Sequence, residues 1–238
     1  MEPHVKKRIL VFIDWYLPGY KAGGPVRSMV NMTEHLSDRF DFYIVTRNSE
    51  YGENQPYRDT VPDSWNRLTP GVKVWYCSAG KASLSLWRSL IRQTKADVVY
   101  INGIYSPLYS LLPLVAVKSL RFQKVIVAPR GMLADSAIHV KKGKKQLFLK
   151  VAKWMNLYRH IRWHVTNEAE ASQVRQQINP GAAIAVADNL PRIVSAGFSA
   201  LDKESGQLRL ILPARIAPEK NTLYAIECMK HIPEGYRV

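Results

Sequence analysis

Arg8–Leu36, RILVFIDWYLPGYKAGGPVRSMVNMTEHL, is the stretch whose reading decides the fold. Arg8–Ile13 is a short apolar run rich in branched residues, which suits a strand covered on both faces. Tyr16–Gly24 interrupts it with Pro18, Gly19, Gly23 and Gly24, the composition of a loop. Pro25 brings the fixed φ that a first helical turn accepts, and its missing N–H would be unpaired there in any case. Val26, Met29, Val30, Thr33 and Leu36 follow at helical spacing and form one apolar stripe. A strand, a glycine loop and a helix in this order can capture an anion. Two glycines let backbone approach a ligand without a Cβ in the way, and the helix start adds unpaired N–H groups and partial positive charge. The same glycines could equally serve turn geometry alone, and these residues do not choose between the two.

The pattern repeats outward from this unit. Asp41–Thr46, Val72–Tyr76, Asp97–Ile101, Lys124–Ala128, Arg162–Thr166 and Ala183–Ala187 read as further short strands. Between them, helices are predicted around Leu84–Ile91, Leu108–Val115 (with Pro113 as a kink or boundary), Leu147–Tyr158 and Glu168–Gln177. Arg47–Pro70, polar and punctuated by Pro56, Pro62 and Pro70, reads as a long surface excursion. Ser195–Gly206 is small and polar, a linker composition, and Leu208–Leu212 then opens a new strand followed by a helix from Leu223. Alternating strands and helices predict an α/β fold: a Rossmann-like parallel sheet with helices on both faces, plus the first strand–helix unit of a second such domain. The expected division is 1–194, a linker over 195–206, and an incomplete second domain over 207–238. In such sheets ligands bind beyond the carboxyl ends of the strands. This singles out Asp14–Gly24, Asn102–Ser106, Pro129–Ala134 and Asn167–Glu170.

At 238 residues and 47% hydrophobic content the chain can bury a sizeable core. Its net charge of +15 implies an acidic partner: a phosphorylated small molecule, anionic lipid or nucleic acid. Cys77 and Cys228 suggest neither a disulfide framework nor a metal pair, so a reducing compartment is expected. No stretch approaches the ~18–20 apolar residues of a membrane span, and Met1–Lys7 is too polar for a secretory leader. The six histidines show no HxxH or HExxH spacing, so no metal site is assigned. His164, inside RWHVT, reads as a core or sheet-edge residue.

Three constellations carry charge. Arg215 and Lys220 flank the turn PARIAPEKN between a strand and a helix, where both could converge on a diphosphate or stand as unrelated surface charges. Arg130 and Gly131 follow a strand, as Asn102 does, at the edge where ligands gather; Arg130 could equally be a buried or edge arginine bonded to backbone carbonyls. Lys141, Lys142, Lys144 and Lys145 precede Lys150 and Lys153 on a helix with the apolar stripe Leu147–Tyr158; this is a solvated face or a surface for an anionic partner.

Taken in order, these segments resemble a glycosyltransferase of the GT4 type, the retaining group with the GT-B fold. WYLPGYKAGGPVRSMVNMTEHL is similar to the family's opening, and APRGMLADSAI with the lysine-rich helix resembles a bacterial subset. HVTNEAEASQVR resembles the family's strand-then-helix turn, VADNLPRIV its approach to the linker, and LILPARIAPEKN the segment that opens its second domain. The resemblance implies two Rossmann-like domains with the active site between them. It implies a UDP- or GDP-linked sugar as donor, no cofactor, and a saccharide or lipid-linked acceptor in polysaccharide or lipopolysaccharide-type biosynthesis. Arg215, Lys220, Gly23 and Gly24 would hold the donor diphosphate. Arg130, Gly131 and Asn102 would face the cleft or the acceptor. Lys141, Lys142, Lys144 and Lys145 would meet an anionic surface. Ala214 and Asn221 stand where the family often has glycine, and no catalytic residue is assigned. The family's acidic Glu-x7-Glu segment would lie beyond Val238, so this chain is not expected to turn over alone. The location implied is the cytoplasm or the inner face of the plasma membrane, with no nucleic acid as partner. Two alternatives stand beside it. A nicotinamide-dependent oxidoreductase is opposed by the absence of GxGxxG and by Thr46-Arg47 closing the second strand; a non-enzymatic binder of anionic surfaces or nucleic acid is motivated by charge.

Overall fold

The computed structural model describes residues 5–134, 142–194, 204, 206–207, 209–213 and 221–233. The chain divides into two units, Met1–Ile193 and Val194–Val238. In the first, the described residues form one sheet of eight strands: β1 Lys7–Phe12, β2 Phe40–Arg47, β3 Trp65–Thr69, β4 Val72–Cys77, β5 Val98–Asn102, β6 Val125–Ala128, β7 Ile161–Val165 and β8 Ala183–Val186. Their spatial order is β3-β4-β2-β1-β5-β6-β7-β8. Every neighbouring pair is parallel except β3–β4. Strand order therefore reverses at β1, which pairs with β2 on one side and β5 on the other. This is the place where an open parallel sheet parts its loops and takes a ligand.

Side-chain alternation splits the core into two layers. Leu10 and Phe12 of β1, Val99 and Ile101 of β5 and Trp163 of β7 join one cluster. Helices α2 (Leu84–Thr94), α3 (Leu112–Ser119), α4 (Lys142–Trp154) and α5 (Glu168–Gln177) contribute Trp87, Leu114, Leu149, Ala152 and Val174 to it. Val11, Ile13, Phe42, Ile44, Val74 and Tyr100 face the other way. There α1 (Gly24–Leu36) lays down Val26, Met29 and Val30, as its apolar stripe predicts.

Four expectations need correction. Arg47–Pro70 is not all surface excursion. It contains β3, which pairs antiparallel with β4 and packs Trp65 against Trp75 at 5.5 Å, and it buries Asn48 and Glu50. Glu50 is held because its carboxylate accepts from the N–H groups of Tyr20 (2.9 Å) and Tyr51 (2.7 Å), tying the glycine loop to this segment. The helix around Leu108 begins as a π-helical turn, Pro107–Leu111, capped by Ser106; Pro113 marks the boundary, the second of its two expected roles, in the first turn of α3. The stripe of α4 is out of phase: Leu149 and Ala152 are buried, while Leu147, Val151 and Met155 are exposed. In the second unit, residues 209–213 join no sheet. Leu210, Ile211 and Leu212 are exposed, since a strand exists only where another backbone pairs with it. α6 (Thr222–Cys228) forms as expected.

Gly71, in the turn between β3 and β4, has φ +78°, and a Cβ there would lie 2.7 Å from the Ser37 carbonyl oxygen. Gly71→Ala is expected to destabilise the chain by about 1–3 kcal/mol. A urea midpoint unchanged from wild type would count against this account of the turn.

Candidate functional site

The site begins where β1 ends. Asp14 turns back on β2: its carbonyl accepts from the Arg47 N–H (3.2 Å), and its carboxylate takes Arg47 Nη2 (2.9 Å) and Ser106 Oγ (2.8 Å). Arg47 lies over the rings of Trp15 (5.2 Å) and Tyr109 (5.0 Å). One carboxylate thus joins the loops after β1, β2 and β5. Nothing local in the sequence marks this group, because its members meet only once three strands are aligned.

The glycine loop then delivers the start of α1. Gly23 is the N-cap with φ +75° and ψ −128°, a conformation that favours glycine, whereas Gly24 has an ordinary φ. A Cβ built on either meets no atom within 4 Å, so the space before this helix is open to a ligand. No side chain caps the helix, and its first turn carries no acid. The partial positive charge of the helix start is not offset locally.

Opposite it stands Arg130, in the Pro-Arg-Gly turn after β6. Both Arg130 (φ +54°) and Gly131 (φ +73°) adopt left-handed backbone. For an arginine this conformation is uncommon and must be held by its surroundings. The holder is Glu170 of α5, which is buried. Its Oε1 accepts from Gly131 N–H (2.6 Å), and its Oε2 accepts from Thr166 N–H (2.7 Å) and Thr166 Oγ1 (3.0 Å). Asn167 caps α5 by accepting from Glu170 N–H at 2.9 Å. Asn167 and Glu170 have capping-box spacing, but the glutamate is aimed at the neighbouring strand's turn.

Thus fixed, Arg130 donates from Nε to Asn102 Oδ1 (2.8 Å), from Nη1 to Asn189 Oδ1 (2.6 Å) and from Nη2 to Tyr100 Oη (2.9 Å). All three acceptors are neutral, and among the described residues no carboxylate pairs with it. Its charge is held in place without being neutralised. Behind it, Tyr100 Oη lies 2.7 Å from His164 Nδ1, and His164 Nε2 lies 3.0 Å from the Ala187 carbonyl. A carbonyl only accepts, so Nε2 carries the proton and Nδ1 accepts from the tyrosine. Burial first, and Arg130 second, hold the His164 pKa below its ordinary 6.5. Burial raises Tyr100 to about 12. At neutral pH both are uncharged, and Arg130 is the cation of the group.

Gly24, Pro25 and Ser28 of α1, with Arg130, Thr166 and Asn189, line a cavity of about 190 Å³. Its size admits one compact group, and its surroundings favour an anion. The chain after β8 closes one side: Asn31 Nδ2 donates to the Leu190 carbonyl (2.7 Å), and His35 Nε2 bonds the Pro191 carbonyl (2.9 Å). A groove of about 690 Å³ near Lys124, Arg159 and Arg162 lies at the opposite, amino end of the strands, away from these loops.

Of the residues singled out in the sequence, Arg130 and Asn102 bond directly, Gly131 anchors their turn, and Gly24 faces Arg130 across the cavity. Gly23 shapes the loop before it. Arg215, Lys220 and Lys141 lie outside the described residues, as do the side chains of Lys142, Lys144 and Lys145 on α4. Tyr100, Asn189 and Glu170 carry no sequence signal of their own; the loop containing Glu170 and the segment VADNLPRIV containing Asn189 were legible, but not these side chains. Among the described residues no cluster of three His, Cys, Asp or Glu could hold a metal, and no helix is long and apolar enough to cross a membrane.

A protonated His164 could no longer accept from Tyr100. Because folding lowers its pKa, the unfolded chain binds protons more readily. This contribution to stability is fully present above pH 6.5 and is lost as pH falls from there through the folded value. Urea titrations across that window should show a slope with wild type, shallower than about 1.4 kcal/mol per pH unit, that His164→Gln removes. Identical slopes would exclude the residue as its source.

In fold, the chain is similar to sucrose-phosphate synthase from Thermosynechococcus elongatus, with a TM-score of 0.53 and 13% identity over 77% of this chain and 48% of that one. The chain spans about half the length of that enzyme. A weaker likeness, TM-score 0.40 and 13% identity, relates 74% of the chain to 43% of an alpha,alpha-trehalose-phosphate synthase (UDP-forming) from Burkholderia vietnamiensis. Another, TM-score 0.34 and 11% identity, relates 74% of it to 74% of a short-chain dehydrogenase/reductase-family oxidoreductase from Burkholderia thailandensis. No protein-family model matches the chain, and no curated protein matches it in sequence. The first likeness bears out the expected fold, a Rossmann-like sheet of the GT-B type.

Proposed function

We propose that the chain is the acceptor-side part of a retaining, GT4-type glycosyltransferase that takes a sugar from a UDP- or GDP-linked donor. The observation that carries this reading is the cavity between the uncapped start of α1 and Arg130. There a cation without a carboxylate partner and a helix N-terminus converge on space for one anionic group. A phosphate of the donor fits that chemistry, and charge developing on a departing diphosphate is what such an arrangement stabilises. Arg215 and Lys220, in the segment that resembles the opening of the family's second domain, are read as ligands of the donor diphosphate, with 207–238 as part of a donor-binding domain and 195–206 as the linker. The acceptor is a saccharide or lipid-linked saccharide of a surface-polysaccharide pathway. It approaches from the side of Asn102 and Gly131. The free thiols Cys77 and Cys228 suit work in the reducing cytoplasm.

Calorimetric titration with UDP, GDP and UDP-sugars tests this, beside an Arg215→Ala/Lys220→Ala double variant. Saturable binding to the chain that the double variant loses is the expected result. Equal binding by both would remove Arg215 and Lys220 from the donor site. Binding to polyanions of every kind, without preference for a nucleoside diphosphate, would favour a general anion binder instead.

A further inference from the structure

Helix α4 carries a second, separate feature. Leu147, Val151, Trp154 and Met155 fall at positions i, i+4, i+7 and i+8, which places them along one side of the helix and its exit. All four are exposed, Leu147 at 64% and Trp154 at 83% of full accessibility. The opposite side, with Leu149 and Ala152, is the one buried in the core. Lys150 and Lys153 are both exposed: Lys150, one turn before Trp154, lies beside the stripe, and Lys153, one turn after Leu149, lies where the helix meets its neighbours. Lys118 of α3 donates to the Met155 carbonyl, fixing the end of α4 against its neighbour.

Charge is concentrated in the same part of the chain. Between Val98 and Asn167 the sequence holds twelve lysines and arginines against a single acid, Asp135. Most of the net +15 therefore belongs to this third of the molecule. A large aromatic and three aliphatic side chains on the outside of a helix, beside lysines, are out of place in water. They suit the boundary between lipid headgroups and acyl chains. Tryptophan in particular places an apolar body and a polar N–H at that depth.

We infer that the outer face of α4 docks on an anionic lipid bilayer. Leu147, Val151, Trp154 and Met155 enter the headgroup–acyl boundary, and Lys150 and Lys153 lie against the lipid phosphates. A nucleic acid would use the lysines but leave the stripe in water. A second copy docked face to face would bring two basic rims together. The bilayer is the occupant that both halves of the surface fit. This inference does not depend on the transferase reading, since it needs no nucleotide sugar.

Flotation of the full chain with phosphatidylcholine vesicles, with and without phosphatidylglycerol, tests it. The chain should float only with the anionic vesicles, and Trp154 emission should shift to the blue on binding. Leu147→Ser/Trp154→Ser and Lys150→Glu/Lys153→Glu should each lower the bound fraction about tenfold or more, because apolar insertion and electrostatic attraction both contribute. Circular dichroism controls for folding, and the substituted side chains are surface ones. Unchanged flotation of both variants would overturn the inference. So would binding to duplex DNA that equals binding to vesicles and is indifferent to Trp154. A wild-type dimer that Leu147→Ser/Trp154→Ser converts to a monomer would assign the face to self-association and overturn it as well.

Discussion

Glu170→Ala will destabilise the first unit by about 3 kcal/mol or more, and Glu170→Gln will be nearly as damaging. Both carboxylate oxygens accept from donors: one from Gly131 N–H, the other from the N–H and hydroxyl of Thr166. The side chain is buried, so truncation strands these donors with little water to replace the lost partner. Each stranded group costs about 1–3 kcal/mol. Glutamine is ordinarily the mild substitution. Here it can keep only one acceptor oxygen, and its NH₂ would face an N–H on the other side. Urea denaturation of the two variants checks this. A glutamine variant as stable as wild type would mean that water already serves one of the donors. The Pro-Arg-Gly turn should loosen in both, because Arg130 and Gly131 depend on this anchor to keep their left-handed backbone.

Arg130→Ala is expected to weaken binding of pyrophosphate or a nucleoside diphosphate by about 10- to 100-fold. Hydrogen bonds to a charged group contribute about 1.5–3 kcal/mol, and about 1.4 kcal/mol is tenfold in affinity. Arg130→Lys separates charge from shape. A lysine keeps the cation, but it has no planar fork with which to hold Asn102, Tyr100 and Asn189 at once. Its affinity should fall between the other two. Calorimetry with wild type and both variants measures the series, and equal affinities would remove Arg130 from the anion site. Stability falls too: Asn102 is buried and its Nδ2 already has no partner, so losing Arg130 leaves the whole amide unpaired.

Much of the fold was legible because its signals are local. Most parallel strands are short runs rich in branched residues, and α1, α2, the π-helical turn and α5 open at Gly23, Ser83, Ser106 and Asn167. β3 was hidden because WNRLT has no apolar run; it is a strand only by virtue of Trp75 and its neighbours across the turn. The phase of α4 was misread for a related reason. Leu147–Tyr158 offers apolar residues on most sides, and the sheet selects Leu149 and Ala152. In the site, the loops were legible from the rule that ligands gather past the strand ends. The partners of Arg130 were not. Tyr100 and Asn189 lie 30 and 59 residues from Arg130 in sequence, and Glu170, which holds the turn through the Gly131 N–H, lies 39 residues from that glycine; strand order alone brings them together.

The segment that crosses from β8 to α1 has a consequence for how the chain matures on the ribosome. Synthesis is vectorial, and domains generally fold as units while they emerge. β1, α1 and β2 can associate early, yet the Leu190 and Pro191 carbonyls that hold Asn31 and His35 leave the exit tunnel last in this unit. Asn189, which fixes one arm of Arg130, arrives with them. Until then each newest strand on the β5–β8 side presents an unpaired edge, the kind of surface that nascent-chain chaperones shield. The cavity beside Arg130 is therefore completed in the same late event that locks the first helix, so a stalled or prematurely released chain would carry most of the sheet with that cavity unfinished.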